Sequence, residues 1–131
     1  KDYEYYLKKD IDFYEYEKLT RVPLIIWTKD KKITGNIDKI MGSYDLMPTL
    51  GNMFDFTYPY ALGNDIFSID DNIVVFPNGN WVTDKIYYNN QLSEFKKYSD
   101  VSEEYIKEKE AYARKIIEVS NNLIRYNLFE N

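Results

Sequence analysis

The run Arg21-Val-Pro-Leu-Ile-Ile-Trp27 constrains the fold of this chain more than any other feature. It is short, nearly continuously apolar, and bounded by Arg21 and the polar loop Thr28 to Gly35. A strand with one wet face alternates apolar and polar residues, whereas a strand buried on both faces does not. Val22 to Trp27 therefore predicts a buried strand of a parallel sheet. Pro23 lacks an N–H and belongs at the first strand residue or on an edge.

Fifteen residues after Trp27 begins Gly42-Ser-Tyr-Asp-Leu-Met-Pro-Thr-Leu-Gly-Asn-Met-Phe54. Asp45 is expected to cap a helix whose first turn accepts Pro48, because early helical N–H groups have no intrahelical partner. Leu46, Met47, Leu50, Met53 and Phe54 recur at three and four residues and form one apolar face. Gly51 costs such a helix about 1 kcal/mol relative to Ala, which points to close approach of a neighbouring backbone. Upstream, Lys1 to Lys18 reads as helix or helix-loop; downstream, Thr57 to Asp65 is loop and Ile66 to Ile69 a short turn.

The pattern then turns antiparallel. Asn72 to Phe76, Trp81 to Asp84 and Lys85 to Tyr88 are rich in β-branched and aromatic residues. Pro77-Asn-Gly-Asn80 supplies a hairpin turn in which Gly79 can take a positive φ. Asn89 to Gln91 is a second turn, leading to a further strand over Leu92 to Tyr98. Asp100, with Glu103 three residues on, resembles a capping box, and Ile106, Ala113, Ile116, Ile117, Leu123 and Ile124 give a helical face reaching about Tyr126.

Chemistry is limited by what the 131 residues omit. There is no His and no Cys, so the commonest general base, the commonest metal ligand and the thiolate nucleophile are missing. The net charge of −5 is spread along the chain. The nearest approach to a basic stripe, Lys29, Lys31 and Lys32, is interrupted by Asp30, which argues against nucleic acid as a partner. The longest apolar runs fall far short of the ~20 residues that cross a bilayer. The start at Lys1, without an initiator Met or signal peptide, reads as an expression or processing boundary.

In this order, four segments resemble the C-terminal part of the sulfatase branch of the alkaline phosphatase superfamily. They are Arg21-Val-Pro-Leu-Ile-Ile26, Gly42 to Leu50, Ala61-Leu-Gly-Asn-Asp-Ile-Phe67 and Val74-Val-Phe-Pro-Asn-Gly-Asn-Trp-Val-Thr-Asp-Lys85. The Asp-x-x-Pro-Thr-Leu element at Asp45 to Leu50 is shared across sulfatases. The Phe-Pro-Asn-Gly-Asn-Trp hairpin is most similar to the lipoteichoic acid synthase and phosphoglycerol transferase group, and Val119-Ser-Asn-Asn-Leu-Ile124 resembles that group's closing segment.

The resemblance implies a C-terminal piece of an α/β domain, α+β within the fragment itself. Residues 1–69 would belong to the catalytic domain, and residues 70–131 would form an antiparallel sheet covered by a long C-terminal helix. It implies a parent enzyme with a divalent metal, Mn or Mg, a Thr, Ser or modified Cys nucleophile, and an Asp-His pair shortly before the strand. Its substrate would be a glycerophosphate lipid or a sulfate ester. The parent would be anchored by N-terminal helices on the extracellular face of the bacterial cytoplasmic membrane, with this fragment soluble. No position here matches a family catalytic, cofactor-binding or metal-ligating residue, so none is transferred. The expected partner is the rest of the chain's own catalytic domain.

Several residues carry a second reading. Asp45 as a metal ligand competes with its role as a cap, and Thr49 as a nucleophile competes with a first-turn hydrogen bond. Asp70 and Asp71 are adjacent carboxylates that could bind Ca²⁺, but the spacing of a calcium loop is missing and a solvated turn is the better account. Trp27, Trp81, Tyr87 and Tyr88 could form a sugar-stacking platform, which would make the chain an independently folding, non-catalytic module for cell-wall polymer; aromatic residues on strands more often pack as core or cross-strand pairs.

Overall fold

A computed structural model of the protein describes residues 2–8, 10–30 and 34–130. Two compact units divide between Ile37 and Asp38. Lys31 and Lys32 of the interrupted basic loop lie outside the described residues.

In the first unit, the segment expected as helix or helix-loop carries two six-residue helices, α1 (Asp2–Leu7) and α2 (Phe13–Lys18), with a loop at residues 10–12 between them. α2 starts where the Asp12 carboxylate accepts a hydrogen bond from the Glu15 N–H at 2.8 Å. Lys18 pairs with Glu15 one turn back. The expected strand is not formed: residues 21–28 carry neither helix nor strand. Val22, Ile25 and Trp27 are 84 %, 83 % and 77 % exposed. A doubly buried strand exists only where other strands bond its edges and other layers cover its faces. Among the described residues, no strand pairs with this segment.

In the second unit, a 3₁₀ turn at Ser43–Asp45 leads into α3 (Leu46–Phe54), which ends at Asp55 in the left-handed conformation. The reading of Gly51 holds. A Cβ there would lie 2.5 Å from the Phe56 carbonyl oxygen, because the chain folds back and the Phe56 N–H donates to the Gly51 carbonyl at 3.0 Å.

Four strands form an antiparallel meander in the order β1 (Val74–Val75), β2 (Trp81–Val82), β3 (Ile86–Asn89) and β4 (Glu94–Lys97). The Pro77–Asn80 hairpin closes as expected, with Gly79 at φ +89° and the Phe76 N–H donating to the Asn80 carbonyl. β2 is shorter than the sequence suggested and β3 begins one residue later, because Thr83 makes the corner. Its hydroxyl accepts from the Lys85 and Ile86 N–H groups, and its own N–H donates to the Ile86 carbonyl.

The register places Trp81 beside Tyr88 and Tyr88 beside Phe95. Their rings form a row with centroids 5.7 and 4.7 Å apart. This row lies on the side that helix α4 (Glu103–Arg125) covers, where Ile73, Val75, Trp81, Ile86 and Ala113 make the core. Ile106, Ile116 and Ile117 pack against it.

Two expectations for α4 are corrected. Its cap is Ser102, whose hydroxyl accepts from the Tyr105 N–H, not Asp100. Ile124 is 70 % exposed, whereas its neighbour Leu123 is buried; one helical step of about 100° carries it off the apolar stripe. Residues 38–69 and 70–131, expected to belong to different domains, are tied together in this unit by the hydrogen bonds described below.

Candidate functional site

The Gly42–Thr49 segment, which carried the strongest motif, is organised around a buried carboxylate. Asp45 is wholly inaccessible to solvent. Its Oδ2 accepts from the Gly42 N–H at 2.9 Å and from Asn72 Nδ2 at 2.8 Å. Its Oδ1 accepts from the Asn64 N–H at 2.8 Å. Asp45 does not cap α3 with its side chain. The 3₁₀ turn puts it in helical conformation, so its carboxylate reaches back to Gly42 instead of forward along α3. Three internal donors engage both of its oxygens, so the buried carboxylate is satisfied within the protein.

Around this carboxylate the other polar groups interlock. Asn72 Nδ2 also donates to the Ile40 carbonyl, and its Oδ1 accepts from Asn64 Nδ2. Asn64 reaches the Tyr112 hydroxyl on α4 at 3.3 Å. Gly63 allows the loop this close, since a Cβ there would fall 2.6 Å from the Asp45 Cα and 2.5 Å from the Tyr44 carbonyl oxygen. The Thr49 hydroxyl donates to the Asp45 carbonyl at 2.6 Å and accepts from the Ile66 N–H at 3.1 Å. Both functions of that hydroxyl are spent on backbone, as expected of a first-turn residue. The Tyr44 hydroxyl accepts from the Val75 N–H at 2.7 Å. Burial pushes its pKa up to about 12 against the hydrogen bond from Val75, so it stays neutral and in place.

A second cluster holds the entry to β1 against α4. Lys109 is buried and its Nζ lies 2.7 Å from Asp71 Oδ2, with Lys85 3.4 Å from Oδ1. The Tyr105 hydroxyl donates to Asp71 at 2.9 Å. Lys85 and Lys109 lie 4.9 and 5.1 Å from the centre of the Tyr105 ring, within cation–π reach. Burial alone would raise the Asp71 pKa, but hydrogen bonds from Lys109 and Tyr105 and the charges of both lysines hold it below 3.8. Tyr105 is pushed up to about 12 by burial and by the neighbouring carboxylates, despite a hydrogen bond with Thr83.

The remaining candidates separate. Asp70 and Asp71 diverge: Asp71 faces lysines, while Asp70 stands in solvent 3.9 Å from Lys39. They do not converge as a calcium pair. Trp81 and Tyr87 are buried, so neither can join a stacking platform. The sequence reading missed Asn64, Asn72 and Lys109. Asn72 was hidden behind two aspartates in what reads as a polar turn, and Lys109 stands on the apolar side of an otherwise charged helix, which was the available signal.

Among the described residues no group of three His, Cys, Asp or Glu could hold a metal ion, and no helix is long and apolar enough to cross a membrane. Compared with protein-family models, with curated proteins and with solved structures, the chain matches none.

Proposed function

We propose that this chain is the C-terminal, supporting portion of a metal-dependent enzyme of the sulfatase superfamily, of the membrane-anchored phosphoglycerol transferase type. In this reading it completes the sheet of the catalytic domain and braces its site. It performs no bond-making itself.

The observation that carries the proposal is the state of residues 21–28. A strand-forming apolar sequence lies without helix or strand, with large side chains exposed on both alternating faces. Such a segment is stable when sheet and covering layers enclose it. The rest of the chain's own domain is the partner with that chemistry. Supporting it, the Gly42–Thr49 segment is built as scaffold: Asp45 and Thr49 are saturated by internal hydrogen bonds.

The chain's own residues do not fit the Mn or Mg that the family uses. Asp45 already takes three internal hydrogen bonds and Asp71 is paired with lysine, so in this reading the rest of the parent enzyme supplies the metal ligands and the nucleophile.

Sequencing the gene on that side tests the proposal. An Asp-His pair shortly before Lys1, a Thr in the first half of the domain and several membrane helices are expected, and their absence overturns it. The isolated chain should also turn over neither a chromogenic sulfate ester, a phosphodiester nor a glycerophosphate lipid above a heat-treated control.

A further inference from the structure

An open groove of about 690 Å³ runs between α3 and the loop that follows it, within the size range of small-molecule sites. We infer that it is a subsite for a neutral glycosyl unit, which stacks on the apolar wall and takes hydrogen bonds from the polar rim. The inference rests on residues between Met47 and Ser68 alone and stands apart from the enzyme reading.

The lining has two chemical sides. Met47, Phe56 and Tyr58 give apolar surface, and each is more than a third exposed although it is large and apolar. Facing solvent in the same groove are Asn52, Asp55 and Thr57. A sugar ring has this dual character, with C–H faces that lie on aromatic rings and a hydroxyl rim that needs both donors and acceptors.

Charge argues against ionic ligands. The lining holds no Lys or Arg and two carboxylates, Asp55 and Asp65, so a phosphate or sulfate is repelled. An organic cation would rely on those same carboxylates, but Asp65 is committed within the protein. It accepts from Asn52 Nδ2 at 2.7 Å, from the Phe67 N–H at 3.1 Å and from the Ser68 hydroxyl. Asp55 alone, exposed and screened by water, offers a cation little. What remains is hydrogen-bonding capacity beside apolar surface.

Titration of the ¹⁵N-labelled full chain with N-acetylglucosamine, followed by amide chemical shifts, tests the inference. Saturating shifts confined to residues 47–68 are expected, with a dissociation constant on the order of millimolar. Tyr58→Ala should weaken binding about tenfold with an unchanged melting temperature. Asp55→Asn, which keeps an acceptor and removes the charge, should change it less than about threefold. Saturation by tetramethylammonium but not by the sugar, abolished in Asp55→Asn, would make the groove a cation site and overturn the inference. Shifts that grow linearly with every additive, or an unaltered affinity in Tyr58→Ala, would overturn it as well.

Discussion

Asn72 donates to Asp45 at 2.8 Å across 27 positions of sequence, and this bond joins the α3 segment to the sheet. Asn72 directly precedes Ile73 of the sheet core, so the carboxylate that organises the Gly42–Thr49 turn also fixes the chain's entry into β1. The turn, the Asn64 loop and the sheet are then held by one charged group.

Asp45→Ala should accordingly cost far more than the loss of about 1 kcal/mol expected for a deleted cap. It strands the Gly42 N–H, the Asn64 N–H and the Asn72 amide in a site without solvent. At about 1 to 3 kcal/mol for each of the three unmet buried groups, a loss on the order of 3 to 9 kcal/mol is expected. Asp45→Asn keeps the shape but turns an amide donor toward donors, and should fall between. Urea unfolding of the three proteins measures this; a loss near 1 kcal/mol for Asp45→Ala would return the residue to a simple cap.

Gly63→Ala should destabilise severely, by about 3 kcal/mol or more, since the new methyl meets backbone on two sides and neither can move without breaking the Asp45 bonds. Gly42→Ala is the comparison. Its methyl would meet the Tyr44 ring at 3.0 Å and Val74 at 3.3 Å, longer approaches and to side chains only, so the cost there should be smaller. Thermal melts of both variants test the order, and equal losses would contradict it.

The sheet and the helices differ in how far sequence alone exposes them. The Pro77–Asn80 hairpin is set by local turn chemistry and was legible, as was the tight approach at Gly51. Val22 to Trp27 has a clear local preference, but a doubly buried strand is made by its neighbours, so its composition could not say whether neighbours are present. Asp45 shows a third limit. The motif marked the right residue, yet its partners Asn64 and Asn72 lie 19 and 27 positions away, beyond any periodicity. A separation of 38 positions likewise hides Lys109 beside Asp71.

The Asp71 cluster predicts a pH dependence with a definite sign. Its folded pKa lies below the ordinary 3.8, so the pairing with Lys109 and Tyr105 stabilises the protein above that value and is lost as pH falls through the lower folded one. Asp71→Asn removes the contribution at every pH. The gap in melting temperature between wild type and variant should therefore be full near pH 6 and shrink only below about pH 4. A gap that stays constant down to about pH 2.5 would show that the charge of Asp71 does not matter.

Helix α4 should be indispensable to the second unit, and its two neighbouring residues Leu123 and Ile124 separate burial from composition. α4 gives the core Ala113 and lays Tyr105, Ile106, Tyr112, Ile116 and Ile117 against the strands. Each large apolar side chain contributes on the order of 1 to 3 kcal/mol according to how fully it is buried, against a typical net stability of about 5 to 15 kcal/mol. A chain ending at Asp100 loses all of these contacts and the Lys109–Asp71 pair together, and should not melt cooperatively. Because a failed truncation could follow from many causes, the point substitutions carry the sharper test. Leu123→Ala should cost about 2 to 3 kcal/mol as a buried large-to-small change, whereas Ile124→Ala, at 70 % exposure, should stay within about 0.5 kcal/mol of wild type. Equal melting of the two variants would contradict the buried face described for α4, and cooperative unfolding of the product ending at Asp100 would show that the sheet does not need the helix.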